Sequence, residues 1–176
     1  MINSASTMRH DETALTVAGA PVRCYRAGPA AGPVLVLLHG GDPDSAQAAW
    51  APVWPALTPH ARLVSPDLPG CGGSPLGTTA PTVAGYHAWL LRLLDTCGIR
   101  RATVAGRSLG AAVALRTALV TPTRVAGLVL ITSEGVPGGT AAELATVTSP
   151  VLLLSDNAPA RVAAKLLACL AEGEKP

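Results

Sequence analysis

Five residues, Gly106-Arg107-Ser108-Leu109-Gly110, limit what this chain can fold into more than any other stretch. An apolar run from Ala102 to Ala105 leads into them, and an alanine-rich run from Ala111 to Val120 leads out. The first reads as a buried strand and the second as a helix. A strand that turns directly into a helix brings backbone atoms too close for flanking side chains, which suits Gly106 and Gly110. The turn also lifts the Ser108 hydroxyl clear of the backbone, over a helix N-terminus that favours negative charge. Strand, G-x-S-x-G, helix is the setting in which a serine serves as an acyl-transfer nucleophile.

The remaining pattern predicts an α/β protein. Thr13 to Val17 and Val22 to Arg26, separated by Gly19-Ala20-Pro21, read as an opening hairpin. Val34 to Leu38 is a continuous apolar run, the mark of a parallel strand buried on both faces. Ala46 to Leu57 reads as a short helix interrupted by Pro52 and Pro55. Leu63 to Ser65 is a strand, and Thr82 to Cys97 is an amphipathic helix stopped by Gly98. Thr103 to Ala105, Val125 to Ile131 and Val151 to Leu154 complete the strands, and a last helix covers about Ala160 to Leu170. Strands alternating with helices predict a doubly wound, mostly parallel sheet in one domain, residues 1–176, with 1–12 as a mobile lead-in.

Composition excludes several classes of function. With 14% charged residues, a net charge of +2 and no basic cluster, the chain is a poor partner for nucleic acid. Arginines 107, 116 and 124 punctuate its longest apolar stretch, which argues against a membrane span. Cys24, Cys71, Cys97 and Cys169 form no C-x-x-C pair and no metal-ligand cluster, so no metal is expected and a reducing, cytoplasmic setting is. The glycine patterns do not match a dinucleotide fingerprint, and no cofactor is implied.

Two upstream motifs stand in register with the serine. Val34–Leu38 runs into His39-Gly40-Gly41, and Arg62–Pro66 into Asp67-Leu68-Pro69-Gly70-Cys71-Gly72-Gly73-Ser74. In this order and spacing the chain resembles the N-terminal half of the α/β-hydrolase superfamily. Within it, the likeness is to the meta-cleavage-product hydrolases and their haloperoxidase and esterase relatives. The resemblance covers Ala14 to Thr132 well and Pro150 to Ser155 loosely.

That resemblance implies a site. Ser108 would be the nucleophile, with oxyanion donors from the amide of Leu109 and from Gly40 or Gly41. His39 would shape the oxyanion loop. The acid would be Asp156, with Glu134 as the alternative, and a turn-forming role for Asp156 is equally open. The base would be a histidine late in the chain, yet His10, His39, His60 and His87 all precede Ser108. On this comparison the last strand, the histidine-bearing loop and the helical cap are missing, so the fold is expected to be C-terminally incomplete and capless. Arg107 is a candidate contact for an anionic substrate, while Trp50, Trp54 and Trp89 read as core anchors.

Three readings of function follow. The chain is a serine hydrolase of ester, thioester or carbon–carbon bonds in a small molecule, or a catalytically impaired binding module, or a shortened remnant of such a hydrolase. An exposed sheet edge could pair two copies as a homo-oligomer.

Overall fold

The computed structural model describes residues 11–41, 43–132, 140–155 and 158–173. Seven strands form one sheet in the order β1-β2-β4-β3-β5-β6-β7. The opening hairpin joins β1 (Asp11–Val17) to β2 (Ala20–Ala27), antiparallel. Its turn is Ala18-Gly19, both with positive φ (53° and 81°), a two-residue turn whose twist matches the strands. The expected turn at Gly19-Ala20-Pro21 is therefore displaced. Ala20 and Pro21 already pair with Val17 and Thr16, before β2 begins its pairing with β4.

The parallel part comprises β3 (Val34–Leu38), β4 (Arg62–Pro66), β5 (Ala102–Arg107), β6 (Val125–Ile131) and β7 (Val151–Leu154). Alternation along these strands feeds two separate cores. Val36, Val104 and Leu128 face α3 (Val83–Thr96) and α4 (Leu109–Val120). Leu35, Leu37 and Val129 face α1 (Ala46–Trp50), α2 (Trp54–Leu57) and α6 (Pro159–Gly173). Each fully buried leucine contributes roughly 1.5–3 kcal/mol of transfer free energy, which explains why uninterrupted apolar strands form the centre of the sheet.

Local chemistry sets the helix ends. The side chains of Ser45 and Thr82 accept from Ala48 N (3.2 Å) and Gly85 N (3.0 Å), capping α1 and α3. Gly98, at φ +65°, ends α3. The stretch around Pro52 and Pro55 is two short helices, with Pro55 in the first turn of α2. A further short helix, α5 (Ala141–Leu144), lies in the connection to β7, where the sequence reading placed no element. Its signal was Thr140-x-x-Glu143, a reciprocal capping box.

The edge strand β7 has two different sides. Leu152 and Leu154 pack toward α6, whereas Val151 and Leu153 are 36% and 52% exposed. No helix among the described residues is long and apolar enough to cross a membrane.

Candidate active site

The C-terminal ends of β3 and β5 meet at one point, and the residues that follow them form the site. Leu38 pairs with Gly106, so His39-Gly40-Gly41 and Arg107-Ser108-Leu109 emerge side by side. Ser108 adopts φ 46° and ψ −113°, one of two non-glycine residues with positive φ among the described residues. Such a conformation costs about 1–3 kcal/mol and persists only where its surroundings impose it.

Those surroundings are the two glycines. A Cβ on Gly106 would run into the carbonyl oxygen of Gly110, and one on Gly110 would lie 2.5 Å from the carbonyl oxygens of both Leu38 and His39. Gly110 N also donates to His39 O at 3.1 Å, which ties the start of α4 to the end of β3. The turn is held on its far side by Ser108 N, which donates to Ile131 O at 3.4 Å. Ser108 itself is exposed, and its hydroxyl caps no amide of α4.

Beside it runs the loop after β3. The position a Gly40 Cβ would take is 3.7 Å from Ser108 Cβ and 3.2 Å from Asp44 Oδ2. Asp44 organises this loop: Oδ2 accepts from Gly40 N at 3.0 Å and Oδ1 from Ser45 N at 2.8 Å, while Asp44 N donates to Gly41 O at 2.9 Å. The Gly40 amide is thereby engaged. The amides of Gly41 and Leu109 donate to nothing among the described residues.

His39 is a strut. Its ring is fully buried, with Nδ1–H donating to Gly40 O at 2.6 Å and Nε2 accepting from Leu68 N at 2.8 Å. Both nitrogens are used, and burial pushes its pKa below the ordinary histidine value. Asp67 performs a similar task from β4. Its buried carboxylate accepts from Arg23 Nε (2.6 Å), Ala46 N (2.8 Å) and Gly73 N (2.7 Å), joining β2, α1 and the loop after β4.

The remaining described histidines lie elsewhere. His87 is buried between α3 and α4, its Nδ1 3.2 Å from Thr117 Oγ1. Thr117 is nine residues along α4 from Ser108, about 13 Å at 1.5 Å per residue. His60 is exposed two residues before Arg62, which pairs with Val34 at the end of the strands opposite to Leu38, about 13 Å away along β3. His10, Glu134 and Asp156 lie outside the described residues, so the structure brings together Ser108, Leu109 and the glycine loop alone. Among the described residues no three His, Cys, Asp or Glu side chains gather as metal ligands would.

Two contributors escaped the sequence. Asp44 is one, although Asp-Ser before a helix is a cap signal. The other is the contact of Arg107 with Trp50, 57 positions apart and visible only in three dimensions.

Residues 33–163 match the alpha/beta hydrolase fold family. The chain belongs to the α/β-hydrolase family. It is 38% identical over 121 residues to the dihydrolipoyllysine-residue acetyltransferase component of the acetoin cleaving system of Pseudomonas putida, covering 68% of this chain and 32% of that protein. It is also 38% identical over 109 residues to a 2-hydroxy-6-oxo-2,4-heptadienoate hydrolase of Pseudomonas putida, covering 60% and 39%. Among solved structures, epoxide hydrolase A from Mycobacterium thermoresistibile superposes with a TM-score of 0.66 at 32% identity, over 78% of this chain and 44% of that one. A meta-cleavage product hydrolase from Pseudomonas fluorescens does so with a TM-score of 0.64 at 27% identity, over 69% and 45%. This α/β-hydrolase chain thus spans less than two-fifths of the length of these two curated relatives.

Proposed function

We propose that this α/β-hydrolase chain carries the nucleophile and the oxyanion donors of a serine hydrolase acting on an ester, thioester or carbon–carbon bond of a small molecule. Ser108 Oγ attacks the acyl carbon and gives its proton to a base outside the described residues; the bond from that carbon to the leaving group breaks, the leaving group takes up the proton, and water cleaves the acyl-enzyme at Oγ. The observation that carries the reading is the strained, exposed Ser108 flanked by the uncommitted amides of Gly41 and Leu109. Two such donors aimed at one oxyanion contribute several kcal/mol to acyl transfer in comparable sites. Asp156, or Glu134, completes the reading as the acid that orients a base. Pairing of two copies along β7 belongs to the same proposal and is tested by sedimentation.

A second reading is favoured by one observation: His39 and His87 are sequestered and His60 stands at the opposite end of the strands from Ser108. On that reading the chain keeps the turn as architecture and binds a small molecule without turning it over.

Rapid mixing with p-nitrophenyl acetate separates the two. A p-nitrophenol burst stoichiometric with protein, absent in Ser108→Ala, is the expected result. Its absence in folded wild-type protein leaves the binding module.

A further inference from the structure

Arg107, the residue before Ser108, is half-buried at the end of β5. Its guanidinium carbon lies over the fully buried Trp50 ring, 4.7 Å from its centre, a cation–π contact. Among the described residues no acceptor pairs with its guanidinium. Nε is buried without a hydrogen-bond partner, and Arg107 forms no ion pair with a described residue. Two other arginines do have acidic partners: Arg23 meets Asp67 at 2.6 Å and Arg124 meets Asp95 at 2.7 Å. A half-desolvated cation without a counter-charge is costly, and burial accordingly lowers the Arg107 pKa.

The unanswered charge borders the site. Asp44, whose Oδ2 lies beside Gly40, raises the Arg107 pKa through its charge where burial lowers it. The two form no salt bridge; the Asp44 oxygens accept from the amides of Gly40 and Ser45. Arg107 is therefore a cation without an ion-pair partner among the described residues, one position before Ser108 in the chain.

We infer that Arg107 anchors a carboxylate on the small-molecule substrate, so that the site takes acyl compounds carrying a second, anionic end. Where the acyl group lies rests on the reading of Ser108 as nucleophile; the anion contact does not. A guanidinium presents a planar fork of N–H donors that a carboxylate matches with two parallel hydrogen bonds. A monoanion suits the position better than a phosphate dianion, since the neighbouring Asp44 carboxylate opposes further negative charge.

Calorimetric titration of monomethyl succinate, dimethyl succinate and inorganic phosphate into wild-type protein and Ser108→Ala tests the inference without requiring turnover. The monoanionic ester is expected to bind both proteins at least about tenfold more tightly than the neutral diester. Arg107→Gln is expected to erase that preference and Arg107→Lys to keep part of it. Three outcomes overturn the inference: no preference or no binding in wild type, phosphate binding as tight as the monoester, or a preference that survives in folded Arg107→Gln. If Ser108 resists acylation while the preference holds, the nucleophile reading falls and the anion contact stands.

Discussion

His39 Nε2 accepts the backbone N–H of Leu68 at 2.8 Å, a hydrogen bond that joins the loop after β3 to the loop after β4. With Nδ1–H given to Gly40 O, the imidazole has no lone pair left for a serine proton. Replacing it with alanine opens a cavity and orphans a buried amide. His39→Ala is expected to lose about 2–4 kcal/mol of stability, read from urea unfolding.

The same burial makes stability depend on pH. His39 and His87 both have folded pKa values below the ordinary 6.5, chiefly through desolvation. The unfolded chain therefore takes up protons that the folded chain refuses once pH falls below about 6.5. Above 6.5 both states are neutral at these sites and this contribution is complete; it is lost as pH falls from there through the folded values. Unfolding midpoints should hold above pH 6.5 with respect to these two groups and decline below it. The decline should be shallower in His87→Gln.

Strain at Ser108 gives a second test. Glycine has no penalty at φ 46°, so Ser108→Gly should raise stability by about 1 kcal/mol relative to Ser108→Ala. Gly110→Ala acts in the opposite sense, pressing a methyl group on the Leu38 and His39 carbonyls. A loss of about 3 kcal/mol or more in thermal unfolding is expected.

Asp67 is fully buried with Arg23 as its cation. Arg23→Ala strands that carboxylate, and chemical unfolding should show a loss of about 3–5 kcal/mol. A surface ion pair would give less than about 1 kcal/mol, a result that would place the Arg23–Asp67 pair among ordinary exposed contacts.

How much of this was legible in the sequence follows from the range of each interaction. The turn at Ser108 was readable because both glycines answer backbone crowding within five residues. The central strands were readable because burial on two faces leaves no polar position in Leu35–Leu38 or Leu128–Ile131. The three tryptophans, at 0%, 5% and 4% exposure for Trp50, Trp54 and Trp89, are the core anchors their apolar neighbours implied. The hold of Asp44 on Gly40 and the stacking of Arg107 on Trp50 were not legible, since each depends on how β3, α1 and β5 come together. The short helix α5 was missed despite its capping box, because four residues are too few to show a periodic apolar face.

Asp44 sets the loop beside Ser108 without crossing the core. Asp44→Ala should cost about 1 kcal/mol of stability while slowing acylation of Ser108 by a neutral activated ester about 10–100-fold. Equal rates for the two proteins would remove Asp44 from the site.

The most direct measurement of the central claim is intact mass after exposure to a fluorophosphonate, for wild type and Ser108→Ala at matched folding. One adduct per wild-type chain and none in the variant is the result expected of a nucleophilic Ser108. An unmodified wild-type protein, or an adduct that persists in Ser108→Ala, would contradict it.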